Sequence, residues 1–535
     1  MSSFLKQAVR RIQRGLCAGA VLLGLSGAVL AQTAASDAGA VRLLLEPEPP
    51  TALVLTTTAA GSLTLSPKTN EGLLAFSLKL EPQPQLATQW SISPDGLQYT
   101  FTLRQGVKWH DGTPFTSADV AYSILTLKEV HPRGRSTFAN VERVATPDAH
   151  TAIIHLSKPA PYLLYALAAS ESPIVARHLF DGKGIHANPQ LTAPIGTGPW
   201  IFREWVKGSH VIYDRNPDYW GAPKPAVQRL VIRFFPDVAA RAAAIETGEV
   251  DIASGSTVAL TELERLVAKP NLALEEQGWQ YTNNITRVEF NLDNPYLQHH
   301  KVRQAIAHAL DKQAILKVVQ YGYGKTANGP ISPDLERFHL KDLPDHAFDL
   351  KKANQLLDEA GFPRGANRVR FALHADYWPN SSLYRRTAEF IRPALARVGI
   401  AVTVRSQDAP AYLQRVYTDR DFDFTVHPMS NLFDPTVGVQ RLYWSKNFRK
   451  GLPFSNGSGY QNPEVDRLFE AAAIEPDEHK RKELFNEVQR IIVHDLPDIT
   501  LFVPYNFTLY NKKVGNHTIT ADGTNGNLAD ITKLP

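Results

Sequence analysis

Apolar and polar residues alternate in several short runs along the first half of the chain, a pattern typical of half-buried β-strands. The clearest run begins at Leu97 and ends at Leu103, with Tyr99 and Phe101 on the same side. Thr116 and the residue three positions later have the spacing of a capping box, which predicts a helix running towards residue 130. Similar patterns predict strands over residues 41–45, 141–156, 229–235 and 250–252, and a helix over 238–247.

In the second half of the chain the apolar period becomes helical, first over residues 302–310. Strands are then predicted at 369–373, 400–404 and 422–426, with helices at 383–398 and near Tyr412. Connections of this length imply parallel strands and an α/β lobe. Ligands of such sheets lie beyond the carboxyl ends of the strands. The loops at 374–382 and 427–434 are therefore expected to border a binding site.

The first 31 residues have the organisation of a secretory signal peptide. Four basic residues and no acidic one precede a short apolar run from Leu16 to Leu30. The segment ends at Ala31, with small residues at the positions that a signal peptidase recognises. The run is shorter than the roughly 20 apolar residues that span a bilayer. We therefore predict cleavage after Ala31 and a soluble protein of the periplasm, without membrane insertion.

Charge and cysteine content narrow the possible functions. The predicted signal holds four of the 57 Lys and Arg residues, so 53 basic residues remain to balance 53 acidic ones. Without a net positive field, nucleic acid binding has little electrostatic support. The single cysteine, Cys17, lies inside the predicted signal and lacks a lipobox, so we expect no lipid anchor, disulfide or cysteine-bound metal. At 535 residues, the chain is expected to form two or three domains or lobes.

Motifs of enzymes do not stand out. There is no His-Glu-x-x-His helix and no Gly-x-Ser-x-Gly elbow, and the adjacent His299 and His300 need not converge on a metal. The stretch Gly322–Thr326 lacks the first glycine of a phosphate-binding loop. A pair of glycosidase carboxylates could still be present among scattered acidic residues. The sequence thus gives no positive support for catalysis and predicts neither a cofactor nor a metal.

Aromatic and polar residues concentrate in the candidate loops and before a strand predicted at 288–292. Small-ligand sites commonly combine aromatic walls with a few polar anchors, although any single ring could instead pack in the core. The candidate ligand contacts are Trp279, Tyr281, Tyr377, Trp378, His427, Asn431, Asp434 and Arg441.

Several segments, in order and spacing, resemble the family 5 extracellular solute-binding proteins, the peptide, opine and nickel receptors of ABC importers. The likeness runs from about Leu44 to the C-terminal region. The segments are 86–101, 103–115 with its Trp-His-Asp-Gly-Thr-Pro signature, 196–199, 215–220, 248–251, 302–306 and 460–466.

The resemblance implies an α/β fold of the two-lobe periplasmic-binding-protein kind (type II-like), with a hinge and an extra inserted domain. On this template the first lobe is expected at 41–65, 190–290 and 496–535, the inserted domain at 66–189 and the second lobe at 291–495. It also implies a monomer that captures a solute by lobe closure and delivers it to an ABC permease of two membrane subunits with ATPases.

Two positions depart from the dipeptide-binding members of the family. The aspartate that holds the peptide amino terminus is replaced by Asn431, four residues before Pro435, and the arginine that holds the carboxylate is replaced by Trp378. A shifted alignment would instead give the first role to Asp434. Arg133 and Arg135 resemble, in position, a cleft-facing loop of some relatives, and a guanidinium suits a ligand anion.

The sequence therefore predicts a receptor that does not hold both ends of a free dipeptide in the usual way. Its solute could be a longer peptide, an opine-like compound, a sugar-phosphate conjugate or another polar molecule. The alternatives are a secreted hydrolase of peptides or glycans, and a sensor or chaperone on the same scaffold.

Overall fold

The computed structural model describes residues 39–222, 224–365 and 367–534. The predicted signal peptide lies outside these residues. Two large mixed sheets and one smaller antiparallel sheet organise the described chain. In spatial order, the strands of the seven-stranded sheet are Leu272–Glu275, Thr508–Asn511, Ile252–Ala253, Ala40–Leu44, Arg229–Arg233, His210–Arg215 and Trp200–Val206.

The six-stranded sheet forms the centre of the second lobe. Its strand Phe371–Tyr377 pairs in parallel with Ile400–Val404 on one side and with Phe424–Ser430 on the other. The parallel pairing predicted from the strand–helix–strand pattern is confirmed. In spatial order its strands are Gly324–Thr326, Asp498–Pro504, Asn284–Phe290, Phe424–Ser430, Phe371–Tyr377 and Ile400–Val404.

A four-stranded antiparallel sheet lies in the segment between the first two strands of the seven-stranded sheet along the chain. It contains Ala87–Ile92, Gln98–Leu103, Thr151–Leu156 and Val141–Asp148, in that spatial order. Short two-stranded pairs are Leu74–Phe76 with Pro82–Pro84 and Val514–Gly515 with Thr532–Lys533.

Helices cover the sheets, and their ends follow local sequence signals. Asp119 completes the predicted capping box with Thr116, its Oδ2 accepting from the Thr116 backbone N–H at 2.9 Å. The α-helices are Ala60–Thr69, Ser117–Val130, Gly134–Thr137, Arg177–Phe180, Val238–Thr247, Leu260–Val267, His300–Ala309, Lys312–Val319, Leu350–Glu359, Ser382–Ala396, Ala409–Leu413, Pro435–Gly438, Gln440–Tyr443, Pro463–Ile474 and Glu478–Asp495. A π-helical turn covers Gln414–Asp419. Short 3₁₀ turns are Val54–Thr56, Leu164–Ala166, Ile185–Ala187, Pro189–Leu191, Ser445–Asn447 and Gly523–Asn525.

The described chain passes between the two large sheets twice, through residues 276–283 and 505–507. Two narrow crossings are the arrangement that a hinge requires. The expected first lobe included residues 284–290 and 498–504, but both segments pair within the six-stranded sheet. We propose that the lobes divide at the crossings, which assigns both strands to the second lobe.

An apolar cluster joins the inserted segment to the second lobe. It includes Leu74, Phe76 and Tyr99 on one side and Phe338 and Phe485 on the other. The two bodies are therefore in contact. Among the described residues, none of the helices combines the length and apolar character needed to cross a bilayer.

The crossing at 276–283 packs closely against the C-terminal segment at Gly278. This residue has φ +88°, and a Cβ added there would lie 2.6 Å from Cα of Gly523 and 2.7 Å from Cγ2 of Thr518. Backbone cannot move aside as a flexible side chain can, and the positive φ disfavours any other residue.

We therefore expect Gly278→Ala to lower the free energy of unfolding by roughly 2 kcal/mol. Urea denaturation followed by circular dichroism measures the change. Gly182→Ala is the matched control, because Gly182 also has a positive φ (+71°) but an added Cβ there would meet nothing within 4 Å. Equal losses in the two variants would contradict the importance of the close approach.

Candidate functional site

The aromatic ring of Phe454 lies at the centre of the candidate site in the second lobe. Its centroid is 5.0 Å from that of Trp378, 5.6 Å from Tyr417 and 6.4 Å from the imidazole of His427. Its backbone carbonyl accepts a hydrogen bond from Nη1 of Arg441. Phe454 has a φ of +52°, an unusual value for a residue with a side chain, of the kind found at ligand sites. One loop residue thus brings together three of the residues predicted from sequence.

Arg441 is partly buried, and its guanidinium contacts only carbonyl groups in the described structure. Nη1 donates to Phe454 O, and Nε donates to Gly438 O at 3.2 Å. Burial, Arg133 and Arg287 together lower the pKa of Arg441 to about 10. The environment therefore disfavours its positive charge. An incoming carboxylate would relieve this cost and match the guanidinium geometry.

The inserted segment supplies a second arginine that acts electrostatically on Arg441. Arg133 Nε donates to Oε1 of Glu171 at 2.8 Å, and Nη2 contacts the other carboxylate oxygen. Burial opposes ionisation of Glu171, but Arg133 lowers its pKa below the ordinary value. Arg133 also disfavours the positive charge of Arg441, so the two guanidinium groups interact electrostatically.

A buried ion network supports the wall formed by the six-stranded sheet. Arg287 Nη1 donates to Asp498 Oδ2 at 2.7 Å, and Nη2 lies 3.1 Å from Glu289 Oε2. Tyr443 OH donates to Asp498 at 2.6 Å, and His427 Nε2 lies 2.7 Å from Glu289. The pairing shifts register between residues 286 and 287, and such bulges redirect side chains beside sites.

His427 is held neutral in this network, because burial and Arg287 lower its pKa. The Glu289 carboxylate, whose pKa is lowered, needs a donor at 2.7 Å, which places the proton on Nε2 in preference to the longer 3.3 Å contact with Arg287 Nε. Nδ1 is then left as an acceptor. Nδ1 is buried and has no hydrogen-bond partner in the described structure. It can therefore accept a hydrogen bond from a ligand N–H or O–H group.

Further buried polar atoms without a partner come from the segments where the lobes meet. Buried polar groups are seldom left unpaired. These unpaired atoms therefore favour a polar ligand between the lobes. Among them are Thr257 Oγ1 and Thr508 Oγ1 from the first lobe and Trp279 Nε1 and Asn283 Oδ1 from the first crossing.

Trp279 and Tyr281 both lie in the first crossing. The Trp279 ring packs against Gly255, where an added Cβ would lie 3.3 Å from it. Tyr281 is buried; its OH donates to the carbonyl of Tyr165 at 2.6 Å, and its ring lies 5.0 Å from that of Phe433. Trp279 thus keeps an unpaired indole N–H, whereas the Tyr281 hydroxyl is already used.

Asn431 and Asp434 are buried and fully engaged by the protein. Asn431 Nδ2 donates to Pro330 O at 3.0 Å, and its Oδ1 accepts from the backbone N–H of Ser332. An aspartate there could not donate to the carbonyl, which accounts physically for the asparagine. Asp434 forms a two-point ion pair with Arg481, with distances of 2.7 and 2.6 Å.

The other predicted contacts are divided between strands and the surface. Tyr377 and His427 were expected in loops, but the strands extend to residues 377 and 430, and Tyr377 lies opposite Val426 in the parallel pairing. The expected loop starts were wrong for this reason. Tyr377 OH donates to Ser406 Oγ at 2.8 Å, and Arg135 is exposed.

Sequence reasoning missed Phe454, Arg287, Glu289 and Asp498. The last three are charged residues within strongly apolar strands, where a buried charge is costly unless it is paired or used. A charged residue within an apolar strand is therefore a sequence signal for a buried ion pair or a functional site. Phe454 has no comparable signal, since its role depends on the loop conformation. Among the described residues, His, Cys, Asp and Glu side chains form no group of three that could hold a metal ion.

His131, beside Arg133, provides a pH-dependent contribution to stability. Burial lowers its pKa from 6.5 to about 4, so the folded protein keeps it neutral while the unfolded chain protonates it below pH 6.5. The unfolded state then binds more protons, and stability falls as the pH falls from 6.5 towards 4.

Relative to a His131→Gln variant, we expect the wild type to lose roughly 2 kcal/mol over this range. Urea denaturation of both proteins at several pH values measures the difference. Parallel pH profiles for the two proteins would contradict the assignment.

The chain is similar in sequence and in fold to several known proteins. Residues 81–458 match the family described as bacterial extracellular solute-binding proteins, family 5. The chain is 31% identical over 467 residues to a candidate ABC transporter peptide-binding protein of Brucella ovis, covering 83% of this chain and 84% of the relative. It is 28% identical to the dipeptide-binding protein of Escherichia coli, with 77% and 79% coverage.

A solved structure has the same fold over nearly its whole length. The periplasmic binding protein DppA of Helicobacter pylori, in complex with the peptide STSA, is 26% identical and has a TM-score of 0.78. The match covers 93% of this chain and 98% of that protein. The two-lobe fold expected from sequence is confirmed.

Proposed function

The chain belongs to the family 5 bacterial extracellular solute-binding proteins, and we propose that it captures a carboxylate-bearing, peptide-like or opine-like solute between its lobes. The carrying observation is Arg441, a partly buried guanidinium beside aromatic rings that contacts no carboxylate in the described structure. The carboxylate of the solute would supply the missing counter-charge and satisfy the free N–H groups.

The opposite end of the solute would meet a neutral environment. Asn431 is committed to the backbone at Pro330 and Ser332, and Asp434 to Arg481. Neither offers a free carboxylate to an ammonium group. The neutral Nδ1 of His427 can still accept a hydrogen bond from an amide or hydroxyl. A solute with an acylated or otherwise neutral nitrogen would suit these groups as well as a free amine does.

Capture would follow from a shift between open and closed forms. A ligand favours the closed form only through contacts that the open form lacks. Contacts with both Arg441 in the second lobe and Trp279, whose ring packs against Gly255 of the first lobe, would meet this requirement. The closed protein would then deliver its solute, unchanged, to an ABC permease with associated ATPases. We propose that it acts as a monomer in the periplasm.

A set of capped peptides tests the proposal. One tripeptide is prepared in four forms: free, N-acetylated, C-amidated and carrying both caps. By isothermal titration calorimetry we expect amidation to weaken binding by about tenfold or more, since it removes a charge-assisted contact. Acetylation is expected to change affinity by less than about threefold.

The opposite ranking, with acetylation abolishing binding and amidation tolerated, would contradict the proposed orientation. Mass spectrometry of small molecules released on denaturing the purified protein identifies the natural solute directly. Incubation of the protein with that solute and analysis of the products distinguishes a receptor from a hydrolase, because a receptor returns its ligand intact.

A further inference from the structure

A cavity of about 310 Å³ lies between the inserted segment and the second lobe, and Arg441 is not among its lining residues. Its walls are largely apolar and aromatic, and its size is at the lower end of the range for small-molecule sites. The apolar walls are formed by Ile92, Tyr99, Pro159, Pro161, Leu164, Tyr165, Phe338 and Pro476.

Arg337 gives this cavity a specific chemistry. Its guanidinium carbon lies 3.9 Å from the ring centroid of Tyr165 and 4.8 Å from that of Phe338. Nε and Nη2 are buried and make no hydrogen bond in the described structure. The nearby Glu478 carboxylate is 3.7 Å from Nε, beyond hydrogen-bond distance, and is 62% exposed. Arg337 is thus positioned on aromatic faces, and its counter-ion is the exposed Glu478 carboxylate, which forms no hydrogen bond with it.

The second arginine of the cavity cannot take the same role. Both terminal nitrogens of Arg481 are bonded to Asp434. A single guanidinium fork therefore remains for a ligand. A carboxylate fits this fork in a two-point geometry, and the aromatic walls suit an attached apolar group. The cavity matches an amphipathic organic acid in both respects.

The walls of the cavity belong to different bodies. Ile92, Tyr99 and Tyr165 precede the first crossing, whereas Arg337 and Phe338 lie between the two crossings in the second lobe. Separation of the lobes would pull these walls apart. A molecule bound to both walls would consequently favour the closed form.

We propose that this cavity is a second ligand site, for an amphipathic carboxylate that promotes lobe closure from outside the solute site. The effect on closure rests on the lobe movement of the proposed function, whereas binding at Arg337 does not. The coupling would be reciprocal. The acid would strengthen binding of the transported solute by a certain factor, and the solute would strengthen binding of the acid by the same factor.

The test uses 3-phenylpropionate as the probe and 3-phenylpropanamide as its neutral counterpart. Calorimetry should detect the acid in millimolar concentration and show binding at least tenfold weaker for the amide and for Arg337→Gln. Glu478→Gln should bind the acid more tightly, because a competing negative charge is removed. Arg143→Gln, an exposed change on the inserted domain's sheet, should leave the affinity unchanged. Small-angle scattering should show a smaller radius of gyration with the acid present.

Equal affinity of wild type and Arg337→Gln, or no binding of the acid, would overturn the proposal. Binding that is lost in Arg441→Gln but kept in Arg337→Gln would place the probe in the solute site, which would overturn the second site while supporting the proposed function. Binding at Arg337 without any change in the radius of gyration would overturn the effect on closure.

Discussion

Replacing Asp434 by Ala is expected to lower the free energy of unfolding by about 3–5 kcal/mol. The substitution leaves the guanidinium of Arg481 buried without its partner, since both of its terminal nitrogens are bonded to Asp434. It also removes the cap that Asp434 Oδ1 provides to the backbone N–H of Thr436 at 2.9 Å. A buried charge without a counter-ion is among the largest single costs a substitution can produce.

Urea denaturation measures this loss. The double variant Asp434→Ala/Arg481→Met should recover most of it, because no charge then remains buried. Glu464→Ala is the matched control: it breaks an exposed ion pair with Arg467 and should cost less than about 1 kcal/mol. A loss in Asp434→Ala no larger than that of the control would show that the ion pair contributes little.

Replacing Arg441 by Gln is expected to weaken binding of the natural solute by about a hundredfold. The reason is the loss of a charge-assisted contact in a partly buried site. Stability of the ligand-free protein should stay the same or rise, because burial and the neighbouring arginines disfavour the charge of Arg441. Weaker binding together with unchanged or higher stability is the result expected for a residue that serves ligand binding at a cost to stability.

Calorimetry with the solute identified by mass spectrometry, together with thermal unfolding of the ligand-free protein, separates the two effects. Arg135→Gln is the control, since Arg135 is exposed and its replacement should alter neither quantity. Undiminished binding by Arg441→Gln would remove the main support for a carboxylate anchor. A large loss of stability would instead assign Arg441 a structural role.

Parallel pairing in the second lobe could be predicted because alternation and connection length report local geometry. Residues 371–377, 400–404 and 424–430 lie in parallel as the pattern required. The exact strand ends could not be predicted. Polar and small residues such as His427 and Ser430 end an apolar run, yet the neighbouring strand Asn284–Phe290 continues to pair with them. Tertiary pairing therefore decided the boundaries.

The candidate site was predictable to a smaller extent. Trp378, His427 and Arg441 could be found because they follow or occupy two adjacent strands of the sheet. The structure brings them around Phe454. The family pattern alone gave no reason for the loss of its aspartate at Asn431. The reason lies in long-range bonds to residues 330 and 332, which no local pattern reveals.

The seven-stranded sheet depends on a strand near the end of the chain. Thr508–Asn511 lies between Leu272–Glu275 and Ile252–Ala253, and pairs with both. More than two hundred residues separate it from these neighbours along the chain, and contacts this distant form slowly. During synthesis the first lobe therefore stays incomplete until residue 511 has emerged from the ribosome.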